Sequence, residues 1–385
     1  MKKHALLSAS SAHRWLECPP SARLEERYTV NTETTFSLEG TLAHSLGEAR
    51  LKFEFGQIGL TEYTVELDRI KSNEMYNKEM ADAIDLYVDT VLAEYQKHND
   101  IIIERTVNYS KWAKEGYGTA DVILIGEEAI TVIDLKYGKG IQVEAKDNPQ
   151  LRLYALGAYD TFGMLYYIKT IRTIVVQPRR DNISIEEITV EGLLTWGESI
   201  KLISQQAFNG EGETKVGDHC KWCKHKLHCT GMIKTTHAMA NIAFEGYGSK
   251  EGNKPFSSLT SEELKDILDK KDIVTEFLKS VSEWALKESI DNGLNIDGYK
   301  LVLGRANRKY IDEKEVEKVL LENGITGIHR LLTITEIEKL LGKTEFNTLL
   351  GDLIAKPEGA PTLVPDTDKR AAWSKLTAKE AFQGI

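Results

Sequence analysis

GTADVILIGEEAITVIDLKYGKG, residues 118–140, decides how the chain folds. Two runs of β-branched and aliphatic residues, TADVILIG (119–126) and AITVIDLKY (129–137), are separated by a short acidic and glycine turn, the pattern of adjacent strands. Side chains two apart on a strand share a face, so Asp134 and Lys136 project together. Antiparallel pairing brings Asp121 beside them. Asp134 ends an almost wholly apolar run, where a bare charge is costly without a partner. Taken alone, D-x-K is also what a solvated surface pair looks like.

Working outward, IIIERTVNY (101–109) reads as a preceding strand and IRTIVVQP (171–178) as a following one, ended by Pro178. A helix from about Pro149 to Tyr159 lies between, giving the order β-β-β-α-β. Upstream, residues 11–55 read as helical, with a run from about Glu39 through Phe55 behind Thr34 and Thr35. The clearest helix is 75–97, where Met80, Ile84, Tyr87, Val88, Val91, Leu92 and Tyr95 recur at helical spacing. Downstream, 190–208 reads as helix and leads to a cysteine knuckle at 220–229. EGYGSKEGNKPFSS (245–258) has linker composition. The expected organisation is therefore a domain over 1–244, a linker over 245–258 and a mostly helical accessory module over 259–385, with a hairpin at GYKLVLGR (298–305) and a loop at KPEGAPTLVPDTD (356–368).

At 385 residues, 41% hydrophobic and 28% charged, the composition is that of a folded globular chain with more than one module. The net charge of −10 argues against a protein that coats nucleic acid, though not against a local basic groove over an acidic site. MKKHALLSASSAHRWLECPP carries no apolar run of signal-peptide length and no later segment approaches a membrane span, so a cytoplasmic protein with no membrane partner is expected. There, four cysteines point to metal or cluster ligation rather than disulfides. No G-x-x-x-x-G-K-[ST] occurs, so any motor is a separate protein.

Two carboxylates suit a hard cation, Mg²⁺ or Mn²⁺, that leaves positions for water and a phosphate oxygen, with Lys136 placed to orient or deprotonate that water or to stabilise developing charge. In SLEGTLAHSLGEARL, His44 and Glu48 are four apart on one helical face with Glu39 nearby; downstream, Gln150 and Tyr154 are four apart. In isolation a buried, hydrogen-bonded core histidine is the better reading of His44, and plain helix packing accounts for Gln150 and Tyr154.

In combination, His44, Gly118-x-x-Asp121, Asp134-x-Lys136 and Gln150-x-x-x-Tyr154 resemble, in this order, the RecB-family motifs of the PD-(D/E)XK nuclease superfamily. The resemblance covers about residues 8–232 and implies an α/β fold of restriction-endonuclease type, a central mixed sheet flanked by helices. It implies that His44, Asp121, Asp134 and the Leu135 carbonyl hold the catalytic Mg²⁺ or Mn²⁺, that Lys136 is catalytic, that Gln150 and Tyr154 sit beside the active site and the DNA, and that Glu104 is an accessory acid. RWLECPPSARLEE and EGTLAHSLGE also resemble a phage-borne family with no assigned function.

GDHCKWCKHKLHC supplies Cys220, Cys223 and Cys229, with lysines expected to favour thiolates; Cys18 lies far upstream. One distant cysteine plus such a triplet resembles the iron-staple nucleases, among them AddB and the CRISPR adaptation nucleases, in which a [4Fe-4S] cluster joins the chain before the nuclease core to the chain after it. The rival is zinc held by the triplet and one of His219, His225 or His228. The expected activity is exonucleolytic hydrolysis of single-stranded or frayed DNA ends in phage-type replication or recombination, beside a separate helicase, single-strand-binding or recombination protein. The alternatives are a DNA-binding module that does not cut and a restriction-type endonuclease. In the C-terminal third, Lys271, Lys279, Lys287, Arg305, Arg308 and Lys309 are the basic residues available to touch DNA.

Overall fold

Five strands form the central sheet in the order in which the chain makes them: β1 (Asp100–Asn108), β2 (Tyr117–Ile125), β3 (Ala129–Leu135), β4 (Thr170–Gln177) and β5 (Asn182–Thr189). They come from a computed structural model that describes residues 5–28, 34–95, 100–244, 260–304, 308–325 and 333–373. The chain divides into two compact units, Met1–Phe277 and Leu278–Ile385.

In the first unit β1, β2 and β3 pair antiparallel, β3 and β4 pair parallel, and β5 returns antiparallel along β4. A parallel pair cannot close through a tight turn. The crossover is supplied by α6 (Pro149–Phe162), capped by the Asn148 side chain, which accepts from the Gln150 and Leu151 amides. The sheet is thus mixed and helix-flanked, as the sequence predicts. β5 was not anticipated: Pro178–Arg180 forms a single 3-10 turn, Asp181 adopts a left-handed φ of 50°, and the strand that follows is half-exposed throughout. Ile183 and Ile185 face solvent, so this edge strand lacks the apolar run that marks the inner ones.

One sheet face is covered by α3 (Thr35–Glu54) and α5 (Lys78–Tyr95), with α4 (Leu60–Lys71) between them in sequence; Leu42, Leu46, Ile84, Tyr87 and Val91 share a core with Val122, Leu124, Ile133 and Leu135. Helix α4 escapes a periodicity reading because Ile70 is its one buried residue. Against the other face lie α6, α7 (Val190–Asn209) and the N-terminal α1 (Ala12–Trp15), where Trp15, Leu151, Ala155, Leu193 and Ile200 pack with Ala120, Ile123, Ile130 and Val132. Gly157 lets α6 approach β1: a Cβ there would stand 2.9 Å from Val107 Cβ and 3.1 Å from the Asn108 carbonyl oxygen. After α1 come α2 (Ser21–Glu25), which contacts α7, and, beyond the cysteine knuckle, α8 (Thr230–Phe244).

The boundary between the units falls inside α9 (Ser261–Asp291); the expected linker, 245–258, lies outside the described residues. In the second unit α10 (Glu313–Glu322), α11 (Ile334–Leu341) and α12 (Lys343–Leu350) pack around Val316, Leu320, Ile337, Phe346 and Leu350. Two expectations fail here. Among the described residues no local hairpin forms at 298–304: β6 (Tyr299–Leu303) pairs antiparallel with β9 (Pro361–Pro365), inside the stretch expected to be loop. Prolines at both ends of β9 disguise it, yet they are tolerated on an edge strand. A second short pair joins β7 (Lys309–Tyr310) to β8 (Ile354–Ala355). Among the described residues no helix is long and apolar enough to cross a membrane.

Candidate active site

The ladder between β2 and β3 ends at Val122 and Ile133, so Asp121 and Asp134 face each other just beyond the last pair. There the Asp121 side chain replaces the ladder: its Oδ2 accepts the Leu135 amide at 2.8 Å. The alternation of β2 also breaks at this point, since Ala120 packs toward α6, Val122 toward α3 and α5, and Ile123 toward α6 again. Across on β1, Glu104 sits between the pairs Ile103 with Val122 and Arg105 with Ala120, and has φ of 51°. A left-handed backbone at a non-glycine residue costs on the order of 1–3 kcal/mol and is typical of functional sites. Here it accompanies a cluster. The ligand atoms of His44, Glu104 and Asp121 all lie within 4.8 Å of one another, with His44 Nδ1 3.5 Å from Asp121 Oδ1.

Beside this group stands a second one, built from β3 and α6. Asp134 is 3% exposed. Lys136 Nζ lies 2.9 Å from its Oδ2, while Gln150 Nε2 donates to its Oδ1 at 3.1 Å and Gln150 Oε1 accepts from Lys136 Nζ at 2.9 Å. The Gln150 amide therefore fixes both charged partners at once. Tyr154 sits one turn further along α6, its hydroxyl 3.4 Å from Gln150 Nε2. Gly118 makes room for that ring, because a Cβ there would stand 2.9 Å from Tyr154 Cε1. Asp134 Oδ2 is buried and lacks a well-directed hydrogen bond despite the nearby ammonium.

Electrostatics ties the two groups together. Burial pulls the His44 imidazole down, but the Asp121 carboxylate, with Asp134 and Glu104 behind it, outweighs burial and holds it at about 9. Burial likewise works against a charged Lys136, and Asp134 and Asp121 keep its pKa above the ordinary lysine value. Asp134 is pushed up by burial, with Lys136 acting against the rise and Asp121 adding to it. An imidazole beside carboxylates, one of whose buried oxygens lacks a directed donor, fits a hard divalent cation of the Mg²⁺ or Mn²⁺ kind.

Of the other acidic residues singled out above, Glu39 pairs with Arg179 at 3.2 Å and Glu48 with Lys52 at 2.6 Å, so neither joins the group. Sequence reasoning missed Gln177. Buried at the end of β4, it donates to the carbonyls of Gly138 (3.1 Å) and Ile141 (3.0 Å) and accepts from the Val143 amide (3.1 Å). It thereby shapes the loop that walls a cavity of about 780 Å³ also lined by His44, Leu135, Lys136 and Gln150. Its one sequence signal is a polar residue closing an apolar strand. Among the C-terminal basic residues, Arg308 pairs with Glu338 and Lys279 with Glu283, and Arg305 lies outside the described residues.

Cys18 follows α1, while Cys220 and Cys223 flank Trp222 on a 3-10 turn spanning Asp218–Trp222. The two ends are already tied: Glu25 accepts from Arg14 Nη2 at 2.5 Å and from the Lys224 amide at 2.7 Å, and the Tyr28 hydroxyl lies 3.0 Å from His225 Nδ1. None of the four cysteines is in a disulfide. Without a bound group, burial pushes the Cys18, Cys220 and Cys223 thiols up, the last to about 12 with Glu25 adding to the rise. Lys221 is turned to Asp218 at 3.1 Å and Lys226 to the Lys221 carbonyl at 3.0 Å. Cys18 and Cys220 also feel the charge of Cys229, though no three of the four sulfurs lie within 4.8 Å of one another. The histidines have other partners: His219 Nε2 lies 3.0 Å from the Lys215 carbonyl oxygen, and His228 stacks on Tyr28 with centroids 5.8 Å apart.

A family model described as "Protein of unknown function (DUF2800)" matches residues 4–371. The solved structure titled "Crystal structure of SSO0001" is similar over 55% of this chain and 95% of that one, at 15% identity and a TM-score of 0.23, a likeness too low to argue from.

Proposed function

We propose that this chain, which belongs to the DUF2800 family, is a metal-dependent deoxyribonuclease of the RecB-like PD-(D/E)XK kind that works exonucleolytically on single-stranded or frayed ends. The observation that carries the reading is the Asp134, Lys136 and Gln150 triplet, locked by mutual contacts and set beside His44, Glu104 and Asp121. His44, Asp121 and Glu104, next to Asp134 and the Leu135 backbone, are the residues that would hold Mg²⁺ or Mn²⁺; the ion supplies Lewis-acid polarisation of a phosphodiester and eases deprotonation of water. Lys136 brings positive charge to where charge builds on the phosphorus oxygens, and the low-dielectric setting strengthens it. Gln150 prevents that ammonium from swinging away. With its pKa held at about 9 by Asp121, His44 would have to lose a proton for its nitrogen to ligate, so cation binding would be coupled to proton loss.

At the cysteine knuckle, His219, His225 and His228 each have another partner, which supports the four-cysteine set Cys18, Cys220, Cys223 and Cys229 as the ligands, and the group proposed for them is a [4Fe-4S] cluster. The pathway proposed is phage-type replication or recombination in the cytoplasm, alongside a separate helicase, single-strand-binding or recombination protein.

The test is digestion of linear and covalently closed circular DNA by anaerobically purified protein with Mn²⁺, with Asp121→Ala in parallel. Linear DNA is expected to disappear while circles persist, and the variant to be inert. Circles lost as fast as linear molecules overturn the exonuclease assignment. A parent that binds DNA without cutting it is a binding module, and sequence-fixed fragments mark a restriction-type enzyme.

A further inference from the structure

Trp222 lies between Cys220 and Cys223 and is 55% exposed, so much of its ring is open to solvent. Its contact is with His13, centroids 5.9 Å apart and planes at 85°. An edge-to-face contact engages at most one face of the indole. His13 and Trp222 both line the cavity of about 780 Å³ that holds His44, Lys136 and Gln150. They also bound a second cavity of about 630 Å³ that contains Trp196 and Lys215. The aromatic pair therefore stands where the two hollows meet, one of them leading to the proposed reacting phosphate. Lys136 is near enough for its charge to help depress the His13 imidazole, after burial and Arg14.

We propose that Trp222, braced by His13, is a stacking platform for an unpaired nucleobase and sets the substrate class as single-stranded DNA. This rests on the nuclease reading above. Every base offers a π-face, so an aromatic platform along a strand's path tolerates sequence while requiring that the base be unpaired. In a duplex those faces are covered by neighbouring pairs. Lys136 and Lys146 line the same cavity and supply positive charge for the adjoining phosphates. The ring's seat on the cysteine knuckle makes its position depend on that knuckle being folded.

The test measures binding of fluorescein-labelled oligothymidine by anisotropy, with Ca²⁺ in place of Mg²⁺, for full-length parent, Trp222→Ala and Trp222→Phe, with bound iron measured alongside. Loss of one stacked base predicts weakening by about 5-fold to 150-fold for Trp222→Ala. Trp222→Phe is expected to stay close to the parent, and duplex binding to be unchanged. The proposal is overturned if Trp222→Ala binds single strands as the parent does, if Trp222→Phe loses as much as Trp222→Ala, or if binding falls only together with iron. Cleavage by the parent is read separately: a parent that binds in a Trp222-dependent way without cutting refutes the nuclease reading and leaves the platform standing. A parent that neither binds nor cuts refutes both.

Discussion

Arg152 on α6 holds together the unexpected edge strand, the loop before α6 and the helix that carries Gln150. Its Nε reaches Glu186 Oε2 at 3.1 Å, and its Nη2 reaches Glu186 Oε1 at 2.5 Å and Asp147 Oδ1 at 2.7 Å. The Arg152 and Glu186 side chains are only 11% and 10% exposed, whereas Asp147 is 69% exposed. Arg152→Ala would remove the cation from the Glu186 carboxylate, which is 10% exposed and among the described residues would keep only the Asp147 amide, at 3.0 Å, as a donor; breaking a buried pair from one side costs about 3–5 kcal/mol. The exposed Asp147 contact adds at most about 1 kcal/mol. At roughly 2–4 °C per kcal/mol for a domain near this size, Tm should fall by about 6–20 °C. Differential scanning calorimetry, backed by urea unfolding, measures this. The paired change Arg152→Met with Glu186→Leu removes both charges and should cost far less than Arg152→Ala alone. A loss under about 1 kcal/mol for Arg152→Ala, or a double variant that costs the sum of both single ones, refutes the reasoning.

Cys18→Ser should abolish bound iron in anaerobic preparations and lower Tm, because it opens the loop from Cys18 to the knuckle; retention of full iron would leave the triplet as the whole site. Gly118→Ala should push the Tyr154 ring aside and lower nuclease turnover, with a stability loss of about 1–3 kcal/mol from overpacking, read by urea unfolding and single-turnover cleavage; parent-like turnover would show that the ring's place does not matter. In the metal-free protein His44 is raised to about 9 from an unfolded value near 6.5. The folded state thus binds the extra proton, so this stabilisation is complete below about pH 6.5 and is lost as pH rises through about 9. Urea midpoints of parent and His44→Gln should converge over that window, and curves that stay parallel would contradict it.

The inner strands were legible because β2, β3 and β4 are buried on both faces and read as continuous apolar runs. The pairing of Asp121 with Asp134 follows from strand geometry alone. Glu104 came only through the family resemblance, because its place depends on a left-handed backbone that no residue type announces at a glutamate. Nor did β5, whose half-exposed alternation is weak, or the partner of β6, which lies far along the chain. Helical proximity to His44 does not say which cation a side chain will meet: Glu39 pairs with Arg179 and Glu48 with Lys52.

The most direct measurement is degradation of end-labelled linear DNA by anaerobically purified protein with Mg²⁺ or Mn²⁺, with Asp134→Ala and Lys136→Ala preparations alongside and folding checked by circular dichroism. The account predicts cation-dependent digestion by the parent and none by either folded variant. Variants that cut as well as the parent, or a parent that is inert with both cations, would contradict it.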